Sequence, residues 1–387
     1  MSWLLLAVGI FLFIGLVVVH EFGHFIVARR NGVEVEEFGI FFPPRLFSRR
    51  TKSGWLFTIN ALPLGGFVKL KGEHDSDTET GSFGAATTWV KTKIMSAGVA
   101  MNLLTALILF TILAIMGMPQ LVPDQYNVKR DSHLASQRTL ISDVEKGSPA
   151  DKAGLKSEDE ITDISLPGYS PVSISNANKL PDITKSFAGK TVDVYYLRGG
   201  HDYITRTTLL TTKVVNDSKK TSNPKGYLGI SPTQLVIQRS TWSAPVVAIG
   251  LSAQVSALTF QGLGHAIGGL GSLIAGAVTG NSEARQNGQS TATQQVAGPV
   301  GIFMILKNGS LLGYQFMLFI IAIISLSLAI MNILPIPALD GGRLWLMLIS
   351  HRLNRPLSAK SEEAINAAGF AVLITLMILV TIVDLHR

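Results

Sequence analysis

Long apolar runs separated by polar stretches set the pattern of this chain. A bilayer-crossing helix takes about 20 mostly apolar residues, and four runs meet that length: Trp3 to Val19, Ile94 to Met118, Gly313 to Leu334 and Ala364 to Val383. The first continues as the same helix to about Arg30. A signal peptide is the alternative there, but nothing basic precedes Trp3 and "HEFGH" stands where cleavage would occur. A further stretch, Trp242 to Gly280, contains no Lys, Arg, Asp or Glu. Gly264, Gly268, Gly269, Gly271 and Gly276 dilute its hydrophobicity, which favours an interfacial helix pair over a fifth crossing. The polar residues 281–295 that follow read as a flexible link. The pattern predicts a polytopic α-helical membrane protein with four transmembrane helices.

Composition agrees with this pattern. Of 387 residues, 47% are hydrophobic and 15% charged, and mean hydropathy is positive, which disfavours a soluble single-core enzyme. The formal charge of +7 does not point to nucleic acid, because Lys and Arg gather beside apolar segments and form no stripe with interleaved aromatics. They set orientation instead. Arg29, Arg30, Arg45, Arg49, Arg50, Lys52, Lys69, Lys71, Lys91 and Lys93 crowd the loop between the first two runs, which makes that loop cytoplasmic and both termini extracytoplasmic. Arg343, Arg352, Arg355 and Lys360 agree, and the polar segment from about Pro119 to Ser240 falls outside. Because the chain has no cysteine, any metal must be held by His, Asp or Glu.

Ionisable groups interrupt the first run at "HEFGH", residues 20–24. Residues four apart on a helix face the same way with Cβ atoms about 5–6 Å apart, so His20 and His24 can converge on one ion. Glu21 lies one step round the helix, placed to take a proton from a water at the metal without being a ligand. Such groups cost about 2.5–3.5 kcal/mol each inside a bilayer, so they persist where they pair, ligate or line a wet cavity. Snorkelling from near the helix end is the bland alternative. Catalytic zinc commonly keeps three protein ligands and an open position, so a third ligand is required. "MNILPIPALDGG", residues 331–342, ends the third run with Asp340 at the same depth. Pro335 and Pro337 stop regular helix, and Gly341 and Gly342 permit a tight turn that aims the carboxylate inward. Taken alone, Asp340 is as well explained as a solvated cap of the next helix.

With both motifs in view, the chain resembles the site-2 protease family of intramembrane zinc metalloproteases, and most closely its bacterial branch with an inserted PDZ domain. "AGVAMN" (97–102) and "GPVGI" (298–302) extend the resemblance over nearly the whole chain. It implies Zn2+ held by His20, His24 and Asp340, Glu21 as catalytic acid and base, and Asn332 in contact with the substrate backbone. Residues 54–72, "GWLFTINALPLGGFVKLKG", offer short apolar strands around a Pro/Gly turn. The resemblance implies that their edge, over Gly66, Phe67, Val68, Lys69 and Leu70, accepts an unwound substrate strand by β-augmentation; a plain cytoplasmic hairpin is the alternative. Residues 141–164, "ISDVEKGSPADKAGLKSEDEITDI", resemble a circularly permuted bacterial PDZ domain but depart from it at "KSEDEI", where Gly-Asp is more usual. "YLGI" (227–230) is a candidate loop for peptide C-termini, the alternative being a size filter.

The expected organisation is therefore four parts. Residues 1–118 hold two transmembrane helices with the metal motif and a cytoplasmic-side membrane-associated β-hairpin. Residues 119–235 form an extracytoplasmic PDZ-like α+β domain, 236–300 an interfacial helical segment with a polar link, and 301–387 the last two transmembrane helices with "LDGG". The resemblance implies a protease of the bacterial plasma membrane that cuts single-pass proteins already shortened outside, such as anti-sigma factors, signal-peptide remnants or peptide precursors. A metal transporter is the first rival, but it calls for more ionisable groups than the second, third and fourth runs hold. A zinc-braced PDZ scaffold is the second; structural zinc usually fills four protein positions.

Overall fold

The computed structural model describes residues 2–73, 77–219, 224–279, 281, 283, 298–353 and 358–385. Apart from residues 281 and 283, the expected polar link lies outside them, as does Arg355. The chain forms two compact units. One comprises residues 1–5, 112–247 and 309–316, and the other residues 6–111, 248–308 and 317–387.

The second unit is built on helices that follow the apolar runs. Helix α1 spans Ser2–Arg30 and α2 spans Thr88–Met116. Arg29 and Arg30 occupy the last turn of α1, where cations complement the helix dipole. After α6 (Ala244–Thr279) and α7 (Pro299–Leu312), Gly313 breaks the chain at a φ of 108° and α8 runs Tyr314–Ile333. Helix α9 (Asp340–Arg352) and α10 (Ala359–Leu385) complete it. Leu6 and Leu16 of α1 pack on Leu306 of α7 and on Met317 and Ile321 of α8. Phe110 of α2 meets Phe319 edge-on at 5.7 Å, and Ser325 Oγ donates to Asn102 O at 2.7 Å.

Two expectations change here. The stretch after Trp242 is one unbroken helix of 36 residues and not a helix pair. Its glycines are scattered along the helix, each costing about 1 kcal/mol relative to Ala without opening a turn. The portion Ala244–Gly269 raises to five the described helices long and apolar enough to cross a bilayer, where four were expected. The hairpin also differs, because Leu56–Leu70 is a single strand, β2, whose partner is the earlier strand β1 (Val35–Arg50). Val35–Ile40 pairs Gly66–Leu70 on one side, while residues 37–40 also lie in register with 56–59, and 45–50 with 56–60. The segment 66–70 is consequently an outer edge. Its inner end is anchored, since Leu70 packs on Val33, Leu344 and Met347.

The first unit is a seven-stranded sheet. Its strands are β3 (Met118–Pro119), β4 (His133–Val144), β5 (Glu160–Ser165), β6 (Val172–Ser173), β7 (Thr191–Arg198), β8 (His201–Thr208) and β9 (Ile230–Arg239). The order is β3-β9-β4-β5-β7-β8, with β6 on β5 and every pairing antiparallel. "SPADK" forms helix α3 (Pro149–Lys152), capped by Ser148 Oγ accepting the Asp151 N–H at 3.1 Å. Helices α4 (Leu180–Ser186) and α5 (Thr212–Ser218) complete the unit. Ile141, Ile161, Ile164, Val192, Val194 and Leu228 form its core.

Candidate active site

Helix α1 carries His20 and His24 one turn apart, with ring centroids 5.0 Å apart and only 8% of each residue exposed. Asp340 begins α9. Its Oδ2 lies 2.9 Å from His20 Nε2 and 3.1 Å from His24 Nε2, and the two nitrogens are 3.3 Å apart. Donors on one tetrahedral ion with bonds of about 2.0–2.1 Å stand roughly 3.3 Å from each other, so the spacing fits a shared metal.

The outer ring nitrogens strengthen that fit. His24 Nδ1 donates to Ile94 O at 2.7 Å, which leaves lone-pair character on Nε2. The Asn102 side-chain amide lies 3.2 Å from His20 Nδ1, and its oxygen is buried without a hydrogen-bond partner among the described residues. With His20 Nε2 turned to a metal, Nδ1 carries the proton and donates, so the amide oxygen belongs on that side. That orientation also satisfies the orphaned oxygen. Two imidazole nitrogens and a carboxylate oxygen then point lone pairs at one another, an arrangement that a shared cation resolves. Gly98 of α2 supplies the room: a Cβ there would fall 2.5 Å from His24 Nε2 and 2.6 Å from His20 Nε2.

Asp340 reaches the site by a route only partly foreseen. The prolines do end regular helix after Ile333, and Trp345 Nε1 donates to the freed Ile333 carbonyl at 3.2 Å. The tight turn, however, is made by Ala338, at a φ of 74°, and not by the glycine pair. Gly341 and Gly342 lie in the first turn of α9, where a Cβ would collide with the backbone of residues 333–334 and 336–337. They permit close packing, which is a different use of the missing side chain.

A cavity of about 260 Å³ opens beside the three donors. Glu21, Gly66, Asn102 and Asn332 line it together with His20 and Asp340, and Val17, Phe42 and Leu328 form apolar wall. The Val68 backbone N–H faces the Glu21 carboxylate, and a Cβ on Gly66 would touch Glu21 Cγ at 3.2 Å. The edge segment thus passes directly over Glu21. Among the expected substrate contacts, Asn332, Gly66 and Val68 are brought to this place. Phe67 instead stacks on Phe42 at 6.3 Å, Lys69 pairs with Glu36 at 2.8 Å, and Leu70 belongs to the core. Gly98 and Asn102 fall within "AGVAMN", which carries part of the resemblance, but neither was given a role from sequence. A polar residue in the apolar run of α2 was the available signal for Asn102, because amides in a bilayer need a partner.

Residues 8–376 match the model of peptidase family M50. The chain belongs to that family. A protein of Clostridium perfringens named a zinc metalloprotease is 30% identical over 379 residues, covering 96% of each chain. One of Clostridium acetobutylicum is 30% identical over 392 residues, covering 99% of this chain and 98% of its own. A third, from Campylobacter jejuni, is 28% identical over 382 residues, covering 96% of this chain and 90% of its own. The chain is a zinc metalloprotease of the site-2 protease kind and a multi-pass membrane protein.

Proposed function

We propose that His20, His24 and Asp340 hold the zinc, that Glu21 is the acid and base, and that the enzyme cuts within transmembrane segments of single-pass proteins already shortened outside. The observation that carries this reading is the meeting of three donor atoms within 4.8 Å of one another beside a carboxylate and an open strand edge. Zinc, when bound, supplies a Lewis acid that polarises the peptide carbonyl and acidifies water. Glu21 takes the proton of the attacking water on its carboxylate and returns it to the departing amine nitrogen. A helical peptide has its carbonyls already bonded, so the substrate must be drawn out first. Residues 66–68 hold it as an added strand and Asn332 binds its backbone from the opposite wall.

Glu21→Gln tests the assignment. Cleavage of a membrane-embedded segment should fall by about 10²–10⁴-fold, while zinc measured by metal analysis stays at the wild-type level. Undiminished cleavage, or loss of zinc from that variant, overturns it.

We read the sheet unit as a PDZ-like module, a reading supported by the short helix α3 between β4 and β5 at "SPADKAGL". In that role it binds peptide C-termini or bars substrates that retain bulky external domains. In this reading the basic loop between α1 and α2 lies on the cytoplasmic side with the metal site near that face, and both termini and the sheet unit lie outside, which the positive-inside rule supports. Parity then requires a second crossing between α6 and α8 if α6 spans the bilayer.

A further inference from the structure

The edge that passes over Glu21 does not stay open along its length. Lys71 N–H donates inward to Glu34 O at 2.9 Å, so the alternate residues turn their N–H groups outward. Val68 is one, and its N–H faces Glu21, whose Cγ would lie 3.2 Å from a Cβ on Gly66 of the same edge. Leu70 is the next, and its N–H donates to Glu73 Oε1 at 3.0 Å. The two carboxylates differ in how they are held. Glu73 is pinned from α9, because Arg343 Nη2 donates to its backbone oxygen at 3.1 Å and Nη1 lies 3.8 Å from Oε2. Arg343 is itself drawn toward α10, with Nε 3.7 Å from Glu362 Oε1. It stands one turn along the helix that begins with Asp340.

We propose that Glu73, pinned by Arg343, is a register stop: it closes the substrate-binding edge at Leu70, ends strand pairing at Val68, and so sets which peptide bond is cut. This rests on the reading that substrate adds to this edge. An incoming strand displaces the Glu21 carboxylate from Val68 as Glu21 turns to its water, but it meets a carboxylate that does not yield at Leu70. Because side chains and hydrogen-bonding groups alternate with period two, a strand freed of that stop can slip by two residues, about 6.6–6.8 Å. A slip of one would turn its outward groups away from the edge. Arg343 joins the stop to the helix that carries Asp340, so the stop and the metal ligand keep a fixed spacing.

The test compares wild type, Glu73→Ala and Glu73→Gln in the full chain, with product masses read by mass spectrometry on one single-pass substrate. Glu73→Ala should give a second product displaced by two residues while zinc content is unchanged. Glu73→Gln, which keeps an acceptor oxygen, should retain the single wild-type product. One product at the wild-type position from Glu73→Ala overturns the stop. A proline scan of the substrate separates this from failure of strand addition. If proline inhibits at alternate positions in wild type and the pattern does not move in Glu73→Ala, strand addition stands and the stop falls. If inhibition shows no alternation, strand addition falls and the stop with it.

Discussion

The two units bury acidic side chains in opposite ways. In the sheet unit, Asp159 is 1% exposed, and Arg198 grips it through Nε to Oδ1 and Nη2 to Oδ2, both at 2.6 Å, while Lys156 N–H adds a third bond at 2.8 Å. Arg206 grips Asp193 in the same forked manner at 2.6 and 3.0 Å. In the helical unit, Asp340 faces two imidazoles whose outer nitrogens are engaged by Ile94 and Asn102, and Glu21 lines a cavity. A buried carboxylate closed by a guanidinium fork holds a fold together. One set among lone pairs and beside open space holds something that comes and goes.

The strongest way to break the structural side of this contrast is Arg198→Met. It leaves Asp159 buried and uncompensated, which should cost about 2–3 kcal/mol, less than the roughly 3–5 kcal/mol of a fully enclosed pair because Arg198 is itself 34% exposed. Denaturant unfolding of the full chain in detergent would show the loss, and zinc content should not change. An equal loss of zinc would mean that the forked pair serves the metal site as well.

On the functional side, Asn102→Leu removes the acceptor for His20 Nδ1 at a position 1% exposed. Loss of such an outer partner typically lowers metal affinity by about 10–100-fold, and chelator competition measures it. Asn102→Asp, which keeps an acceptor oxygen, should recover most of the affinity. If Asp and Leu weaken zinc equally, Asn102 serves only to pack α2 against its neighbours.

What could be read from sequence divides along the same line. Helix positions and the cluster proposed to hold the metal were legible because period and spacing express them directly: His20 and His24 are four apart, and the apolar runs of α1, α2, α8 and α10 are long. Depth argument linked Asp340 to them across more than three hundred residues. The supporting contacts were not legible. Gly98, Asn102 and the Ile94 carbonyl act through a helix crossing that no local pattern encodes, and the partner of residues 66–70 lies upstream in β1, where an apolar–basic segment gave little alternation. The single helix α6 was obscured by its glycines, whose cost is spread over many residues and never concentrated in a break.

The smallest expected effect concerns Asp131, which the sheet unit closes with hydroxyls instead of a guanidinium fork. Thr241 and Ser243 each donate through the hydroxyl at 2.6 Å and through the backbone N–H at 2.8 and 2.9 Å, and His133 Nε2 stands 3.7 Å away. Burial pushes this carboxyl up, and the four hydrogen bonds outweigh it, holding it well below the usual carboxylate range. A depressed folded-state value means that its stabilising contribution is complete above the ordinary carboxylate value of about 3.9 and fades as pH falls toward the folded one. Asp131→Asn, with one acceptor oxygen fewer, should therefore unfold at a lower temperature than wild type at neutral pH. The gap should narrow steadily between about pH 4 and pH 3. Thermal unfolding of both proteins across that range, followed by a probe in β4 or β9, checks the sign; a gap that stays constant with pH would show that the charge on Asp131 contributes nothing beyond the shape of its side chain.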